Sequence, residues 1–332
     1  MANGVTEKEC KYLKIDRIGR MLVCHLFFDS VSDIARFIAQ NPPVNEECFP
    51  IRVSERADVL FAGPPLQEAV SYCTGGYEEG YKEFMELSRQ LEAVNRRNAT
   101  TNRSEPSLVG SRPNVPAYVA GAPKSMLRRQ RAAEKRVIRL VMNLSYGRNT
   151  TENQIKNRGI LVLNLISLLE QNNYIVDFRL MDASYGYEEL FLFEVRLKRP
   201  GQKLDPGLCY FPMCSKAFLR RIISRIKESM PFRDTEWGVT YGKVAGEEKI
   251  KRYSDYTGDA LFIGTPQSLG IVGQNIFADA DAFLHNLGLS DTIRVPRYVM
   301  TEEDQEGSMS WEDILRENKK KRGAYKWKRS RK

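Results

Sequence analysis

VIRLVMNLSYGRNTTENQIKNRGILVLNLISLLEQNNYIVDFRL, Val137 to Leu180, is the stretch whose reading decides the fold. Val137 to Leu144 is nearly continuously apolar, as befits a strand buried on both faces of a parallel sheet. Thr151 and Gln154 then match a capping box, in which two side chains at a helix start satisfy each other's backbone N–H groups. The spacing predicts a helix from there to about Gln171, apolar on most sides through Ile155, Leu161, Leu165, Leu168 and Leu169. Gly159 within it marks a close approach of helix to sheet. From Tyr174 to Leu180 apolar residues alternate with Asp177 and Arg179, so the period changes to that of a strand.

Downstream, Leu190 to Lys198 alternates in the same way around Glu194 and Arg196. The intervening Ser184-Tyr185-Gly186-Tyr187 predicts an antiparallel pair. Lys216 to Met230 reads as an amphipathic helix with Leu219, Ile222, Ile223 and Ile226 inward. Its expected outer face carries Arg220, Arg221, Arg225 and Lys227. Ala260 to Gly264 is a short buried strand, and Ile276 to Leu287 a helix stopped by Gly288. This order predicts an α/β domain over 137–300, a three-layer open sheet with one antiparallel edge strand.

Upstream, residues 1–93 read as a small α+β domain. Its elements are a strand at Met21 to Phe28, a helix at Ser32 to Gln40 and a strand at Asp58 to Gly63. A helix from Pro65 to Tyr72, stopped by Gly75-Gly76, and another from Glu78 to Arg97 complete it. Residues 94–136 form a basic Pro/Gly/Ser-rich linker with ten Lys or Arg and two acids, ten minus two giving +8. Within it, Val115 to Met126 is apolar enough to pack against a folded domain. Residues 301–332 comprise a helix from Ser310 to about Lys321, capped by Ser310 and Asp313, and a basic tail.

That tail, Arg316 to Lys332, has ten Lys or Arg and one Glu, ten minus one giving +9. The chain of 332 residues has 51 basic and 42 acidic residues, also +9, so everything before the tail sums to zero. Clustered charge acts on polyanions, whereas spread charge mainly keeps a protein soluble. Tyr325 and Trp327 are interleaved with Lys319, Lys320, Lys321, Arg322, Lys326, Lys328, Arg329 and Arg331. Cations for phosphates and rings for bases make these ten residues the expected nucleic-acid contacts, poor in sequence preference. A protein partner or self-association is the other use of such a surface.

No stretch reaches the roughly 18–20 apolar residues of a membrane span, and no membrane partner is expected. The six cysteines form no CxxC pair, and only two histidines could join them, so free thiols are expected in place of zinc. No phosphate-binding P-loop and no nucleophile elbow occurs. An enzyme is therefore the lesser expectation. Asp182 and Glu194-Val195-Arg196 would be the acids of a magnesium-dependent nuclease, but Arg196 stands where that chemistry uses lysine.

In open α/β sheets ligands collect at the carboxyl ends of strands. Here that places the loops Asn143 to Asn149 and Thr265 to Ser268 side by side. A strand followed by N-x-S-x-G (Asn143, Ser145, Gly147), a long helix and an antiparallel strand pair resembles the von Willebrand factor A domain. That family holds a divalent metal through D-x-S-x-S and a later threonine. The resemblance implies a degenerate site at Asn143, Ser145 and Thr265, where uncharged Asn143 would hold Mg²⁺ or Ca²⁺ weakly; no other cofactor is expected. The alternative is that Asn143 and Ser145 only satisfy turn backbone.

The chain also resembles an uncharacterised protein family of tailed phages and mobile elements. The residues that carry this are FAGPPLQEAVSYCTGGYEEG (Phe61 to Gly80), VPAYVAGAPKSM (Val115 to Met126) and NRGILVLNLISLLEQNNYIVDFRL (Asn157 to Leu180). The resemblance implies a location in the host cytoplasm or in the virion. A nucleic-acid-associated protein is the first expectation, and a virion structural or assembly component the alternative.

Overall fold

A computed structural model describes residues 4–98, 104–109, 112–129, 136–171, 174–235, 237, 241–254 and 260–287. The capped helix expected from Ser310 and the whole basic tail lie outside the described residues.

The strand and helix expected around Val137 to Leu180 are present. They are β6 (Arg136–Asn143), the long helix α7 (Glu152–Gln171) and β7 (Tyr174–Tyr185). The capping box forms: Thr151 N–H donates to Gln154 Oε1 at 2.9 Å, and Gln154 N–H to Thr151 Oγ1 at 3.3 Å. β7 turns back into β8 (Glu189–Lys198) as an antiparallel hairpin. β10 (Ala260–Ile263) lies parallel on the other side of β6.

The N-terminal strands belong to this same sheet. β1 (Leu13–Ile18) and β2 (Met21–Phe28) are an antiparallel pair, and β2 runs parallel to β8 from Leu22 opposite Glu189 to Phe28 opposite Val195. The seven-stranded order is β1-β2-β8-β7-β6-β10, with the two-residue β9 (Lys243–Val244) added beside β7. The antiparallel strand β8 is therefore internal, not at the edge, and residues 13–28 do not form a domain apart.

Helices flank both faces unequally. One face carries Cys24, Leu26, Phe28, Leu140, Met142, Val176, Phe178, Leu180, Phe191, Phe193 and Val195. Against it pack α1 (Val31–Ala39), α4 (Leu66–Gly75), α5 (Glu78–Asn98), α7 and α8 (Pro206–Cys214). The π-helical turns Phe218–Ile223, which run into α9 (Ser224–Lys227), join them. So does α11 (Ile276–Asn286). Each fully buried Phe or Leu here contributes about 1.5–3 kcal/mol. The other face has a smaller apolar cluster, Val23, Val141, Met181, Ala183, Leu190 and Leu192, under Ile250 of α10 (Glu247–Tyr253). This is a three-layer α/β arrangement.

Gly159 is a point of close approach, but to α8 and not to the sheet. A Cβ there would lie 2.3 Å from Cys214 Sγ and 3.1 Å from the Met213 carbonyl oxygen. All six cysteines are free and buried. No helix among the described residues is long and apolar enough to cross a membrane.

Two local expectations change. Asp58 to Gly63 is not a strand. Short helices α2 (Val53–Arg56) and α3 (Val59–Ala62) occupy this region, with Asp58 accepting from Leu60 N–H at 2.8 Å and Gly63 leaving at φ 78°. Four apolar residues are too few for period to separate helix from strand. The expected linker, too, carries structure. β3 (Ser104–Ser107), β4 (Arg112–Pro113) and β5 (Met126–Arg129) make a second antiparallel sheet, with α6 (Val115–Val119) between β4 and β5. Val115, Tyr118 and Val119 are exposed there, so the packing expected of Val115 to Met126 is not made.

Candidate functional site

At the carboxyl ends of β6 and β7 the chain encloses a cleft of about 570 Å³. Its walls are the loop after β6 (Ser145, Tyr146, Arg148), the end of β7 (Asp182, Ser184) and the π-helix–α9 segment (Leu219, Arg220, Ser224, Lys227). The α2–α3 segment (Val53, Ala57, Asp58, Phe61) and residues 241–244 close the remaining sides. Carboxyl ends of parallel strands are where open α/β sheets place ligands.

The floor of the cleft is a buried ionic chain. Ser145 Oγ donates to Asp182 Oδ1, and Lys227 Nζ stands 2.7 Å from Asp182 Oδ2. The same ammonium donates to the Tyr241 carbonyl at 3.4 Å and lies 5.1 Å from the centre of the Phe191 ring. Lys227 is only 5% exposed, so its charge needs this carboxylate.

The expected exposed basic face of the 216–230 helix does not exist. Arg221 is 2% exposed and Arg225 3%. Arg221 donates to four backbone carbonyls: Pro64 at 3.0 Å, Ser54 at 3.2 Å, Ala57 at 2.9 Å and Gly63 at 3.1 Å. Arg225 donates to the Pro42 carbonyl at 2.6 Å and to Ser229 Oγ at 2.6 Å. Two one-turn helices and their connections leave carbonyls without intrahelical partners. A guanidinium with five N–H donors in a fixed fork can serve several of them at once. Burial lowers the pKa of both arginines. Glu228 completes the anchorage, accepting from Ser54 N–H at 3.0 Å and Tyr241 O–H at 2.7 Å.

Arg220 differs from its neighbours. It donates to the Phe61 carbonyl, and its guanidinium lies over the Phe61 ring at 4.0 Å and 5.4 Å from the Tyr146 ring centre. Arg148 approaches the same Phe61 ring at 5.8 Å. Burial, chiefly, lowers the Arg220 pKa and raises that of the buried Tyr146 phenol. Ser184, 3% exposed, lines the cleft, and its buried Oγ has no hydrogen-bond partner.

The loops after β6 and β10 do meet, as expected. Arg158 of α7, fully buried, donates through Nη1 to the Asn143 carbonyl at 2.8 Å and the Gly264 carbonyl at 3.0 Å. Gln267 Nε2 donates to Thr150 Oγ1 at 2.6 Å. Asn143, Ser145 and Thr265 do not fit a divalent metal. Asn143 Oδ1 accepts from Ser145 N–H at 2.9 Å, Ser145 Oγ is held by Asp182, and Thr265 Oγ1 accepts from Ser268 N–H at 3.2 Å. Burial lowers the Arg158 pKa to about 10, still above neutral pH, so a positive charge stands beside Asn143 and opposes a second cation. Among the described residues no group of three or more His, Cys, Asp or Glu could hold a metal ion.

Asp182 and Glu194 are not brought together. Asp182 belongs to the face with Phe178 and Leu180 and points to the cleft. Glu194 is on the opposite face, opposite Met181 in register. There Arg179 pairs with Glu194 at 2.5 Å and with Asp177 at 3.0 Å. Arg139 and Arg196 reach the same Asp177 at 3.3 and 3.5 Å, and His25 Nε2 stands 3.7 Å from Glu194. Two acids on opposite sides of a sheet cannot share a metal, so the nuclease pairing of Asp182 with Glu194 fails on geometry.

The ten tail residues expected to contact nucleic acid, Lys319 through Arg331, lie outside the described residues. The sequence placed the cleft, through the loop Asn143 to Asn149, but not Phe61, Ser184, Arg220 or Lys227 as its lining. The Asp58 cap and Gly63 stop were the available signal that Phe61 sits on a helical turn.

Residues 11–291 match the family described as a domain of unknown function (DUF7192), and the chain belongs to it. No curated protein and no solved structure matches the chain.

Proposed function

We propose that this member of the DUF7192 family is a non-enzymatic, nucleic-acid-associated protein of phage origin. Its basic tail supplies phosphate contacts and its α/β body a scaffold or partner surface. The observation that carries this reading is the concentration of ten Lys or Arg and one Glu in Arg316 to Lys332, interleaved with Tyr325 and Trp327. The matched region ends at residue 291, so the tail is an addition beyond it. Binding is to the backbone and sequence-poor, because a charged segment contacts phosphates more than base edges.

The scaffold is von Willebrand A-like in this reading. What supports it is the β6–α7–β7 unit, the turn at Asn143 to Gly147 and the flanking parallel β10. It departs from that pattern in the β1–β2 addition and in Arg158 beneath the turn.

The test is anisotropy of a labelled single-stranded oligonucleotide over a salt series. Removing residues 316–332 is expected to weaken binding and flatten the salt slope by roughly 0.7 for each phosphate that is no longer neutralised. Unchanged affinity and slope in the shortened chain would falsify the proposal.

A further inference from the structure

We propose that the cleft at the ends of β6 and β7 binds a small phosphorylated molecule, with its phosphate between Arg148 and Arg220 and its uncharged part reaching Ser184. This site is separate from the tail and does not depend on the tail's role.

Three observations converge on it. Arg148 and Arg220 both lie within cation–π distance of one ring, Phe61, and neither has a carboxylate partner among the described residues. The other cation of the cleft, Lys227, is already matched by Asp182. Two guanidinium groups that share one ring repel each other. Burial, first, and then the like charge of Arg148 lower the Arg220 pKa, which agrees with that closeness. A dianion removes the repulsion. A phosphomonoester carries about −1.5 to −2 at neutral pH and offers three oxygens to forked donors. A single carboxylate would leave one guanidinium uncompensated. Asp58 also lines the cleft, but its carboxylate accepts the Leu60 N–H of its own turn and its charge acts on Arg221, not on Arg220.

The second observation is the Ser184 hydroxyl, buried without a partner on the wall of the cleft. Buried polar groups are hydrogen-bonded as a rule, and an orphan hydroxyl on a residue that lines a cavity leaves room for a ligand atom as its partner. The third is size and surface. About 570 Å³ accommodates a molecule of mononucleotide size, and Val53, Ala57, Leu219 and Val244 give its uncharged part an apolar wall.

The experiment is calorimetric titration of the full chain with adenosine 5′-monophosphate, with adenosine and inorganic phosphate as comparators. The nucleotide is expected to bind saturably, adenosine about tenfold more weakly or less, and inorganic phosphate to compete. Arg148→Ala should lower nucleotide affinity about tenfold with an unchanged thermal midpoint. Ser184→Ala should lower it severalfold while the midpoint holds or rises, because a buried unpaired hydroxyl is removed. A merely structural Ser184 would not separate the two readouts. Lys319→Gln, Lys320→Gln and Lys321→Gln together, in the full chain, should weaken oligonucleotide binding and leave nucleotide binding alone. The proposal is overturned by no saturable nucleotide heat up to about 1 mM. It is equally overturned if both cleft variants bind normally, or if the tail variant abolishes nucleotide binding. Normal oligonucleotide binding by the tail variant, with the nucleotide arm intact, counts against the tail and for the cleft.

Discussion

Arg220 and Arg221 are neighbours on one helix, yet they belong to two different regions. Arg221 belongs to the buried anchorage of residues 54–64, outside the cleft lining, where a guanidinium is spent on four backbone carbonyls and is closed to water. Arg220, with Arg148, lines the cleft, where the Arg220 guanidinium lies over the Phe61 ring at 4.0 Å and that of Arg148 approaches it at 5.8 Å. In sequence both are simply basic residues of an amphipathic helix. The difference teaches that a cation stripe becomes a surface only if the neighbouring backbone is already satisfied. Here the segment from Pro42 to Pro64 is irregular, and it consumes Arg221 and Arg225 to complete its own hydrogen bonding.

The comparison can be broken most forcefully at Arg221. Arg221→Ala strands four carbonyls and should cost about 4 kcal/mol in urea unfolding. Arg221→Lys should recover little, because an ammonium lacks the planar fork. A loss below about 1 kcal/mol would mean that the loops find other donors and that Arg221 does not anchor residues 54–64.

Closure to water can be sharpened by titration. Burial pushes the thiols of Cys73, on α4, and Cys209, on α8, up to about 12 from an ordinary 9. Between those values the folded chain keeps protons that the unfolded chain has lost. Stability is therefore fully present below pH 9 and declines as pH rises toward 12, by up to about 1.4 kcal/mol per pH unit for each thiol. Urea midpoints measured from pH 8 upward test it, and a flat profile above pH 9 would contradict the buried placement.

The smallest effect is expected in the cleft. Arg148→Ala should change stability by no more than about 0.5 kcal/mol, since its guanidinium holds no backbone in place. A cost above about 1 kcal/mol in the same urea assay would erase the distinction between the two regions.

Much of the architecture was legible because its signals are local. The capping box at Thr151 and Gln154 and the β7–β8 hairpin need only near neighbours in sequence. The position of the cleft was legible too, because it follows from strand direction. What could not be read depends on distant partners. The fate of Arg221 is set by carbonyls more than 150 residues away in sequence, at Ser54 to Pro64. The separation of Asp182 from Glu194 is set by register, in which Glu194 faces Met181 and so takes the face Asp182 avoids. Turn chemistry at Asp58 and Gly63 outweighed the apolar run Val59 to Ala62. The reading of residues 1–93 as a domain failed because β1 and β2 look self-sufficient until β8 is seen beside them.

The pairing of β2 with β8 has a consequence for how the chain is made. Cys24 lies opposite Phe191, so the second strand emerges from the ribosome long before the strand it will sit beside. At about 5–20 residues per second the β1–β2 hairpin waits on the order of ten seconds or more with one edge unpaired. Val5 N–H bonding to the Ser229 carbonyl, and Asn45 side-chain donation to the Met230 and Phe232 carbonyls, lengthen that wait further. Such non-local closure slows folding and exposes strand edges to wrong partners. The N-terminal strands are thus the first part of the sheet to be synthesised, and β2 can be secured against its partner only after β8 has been made.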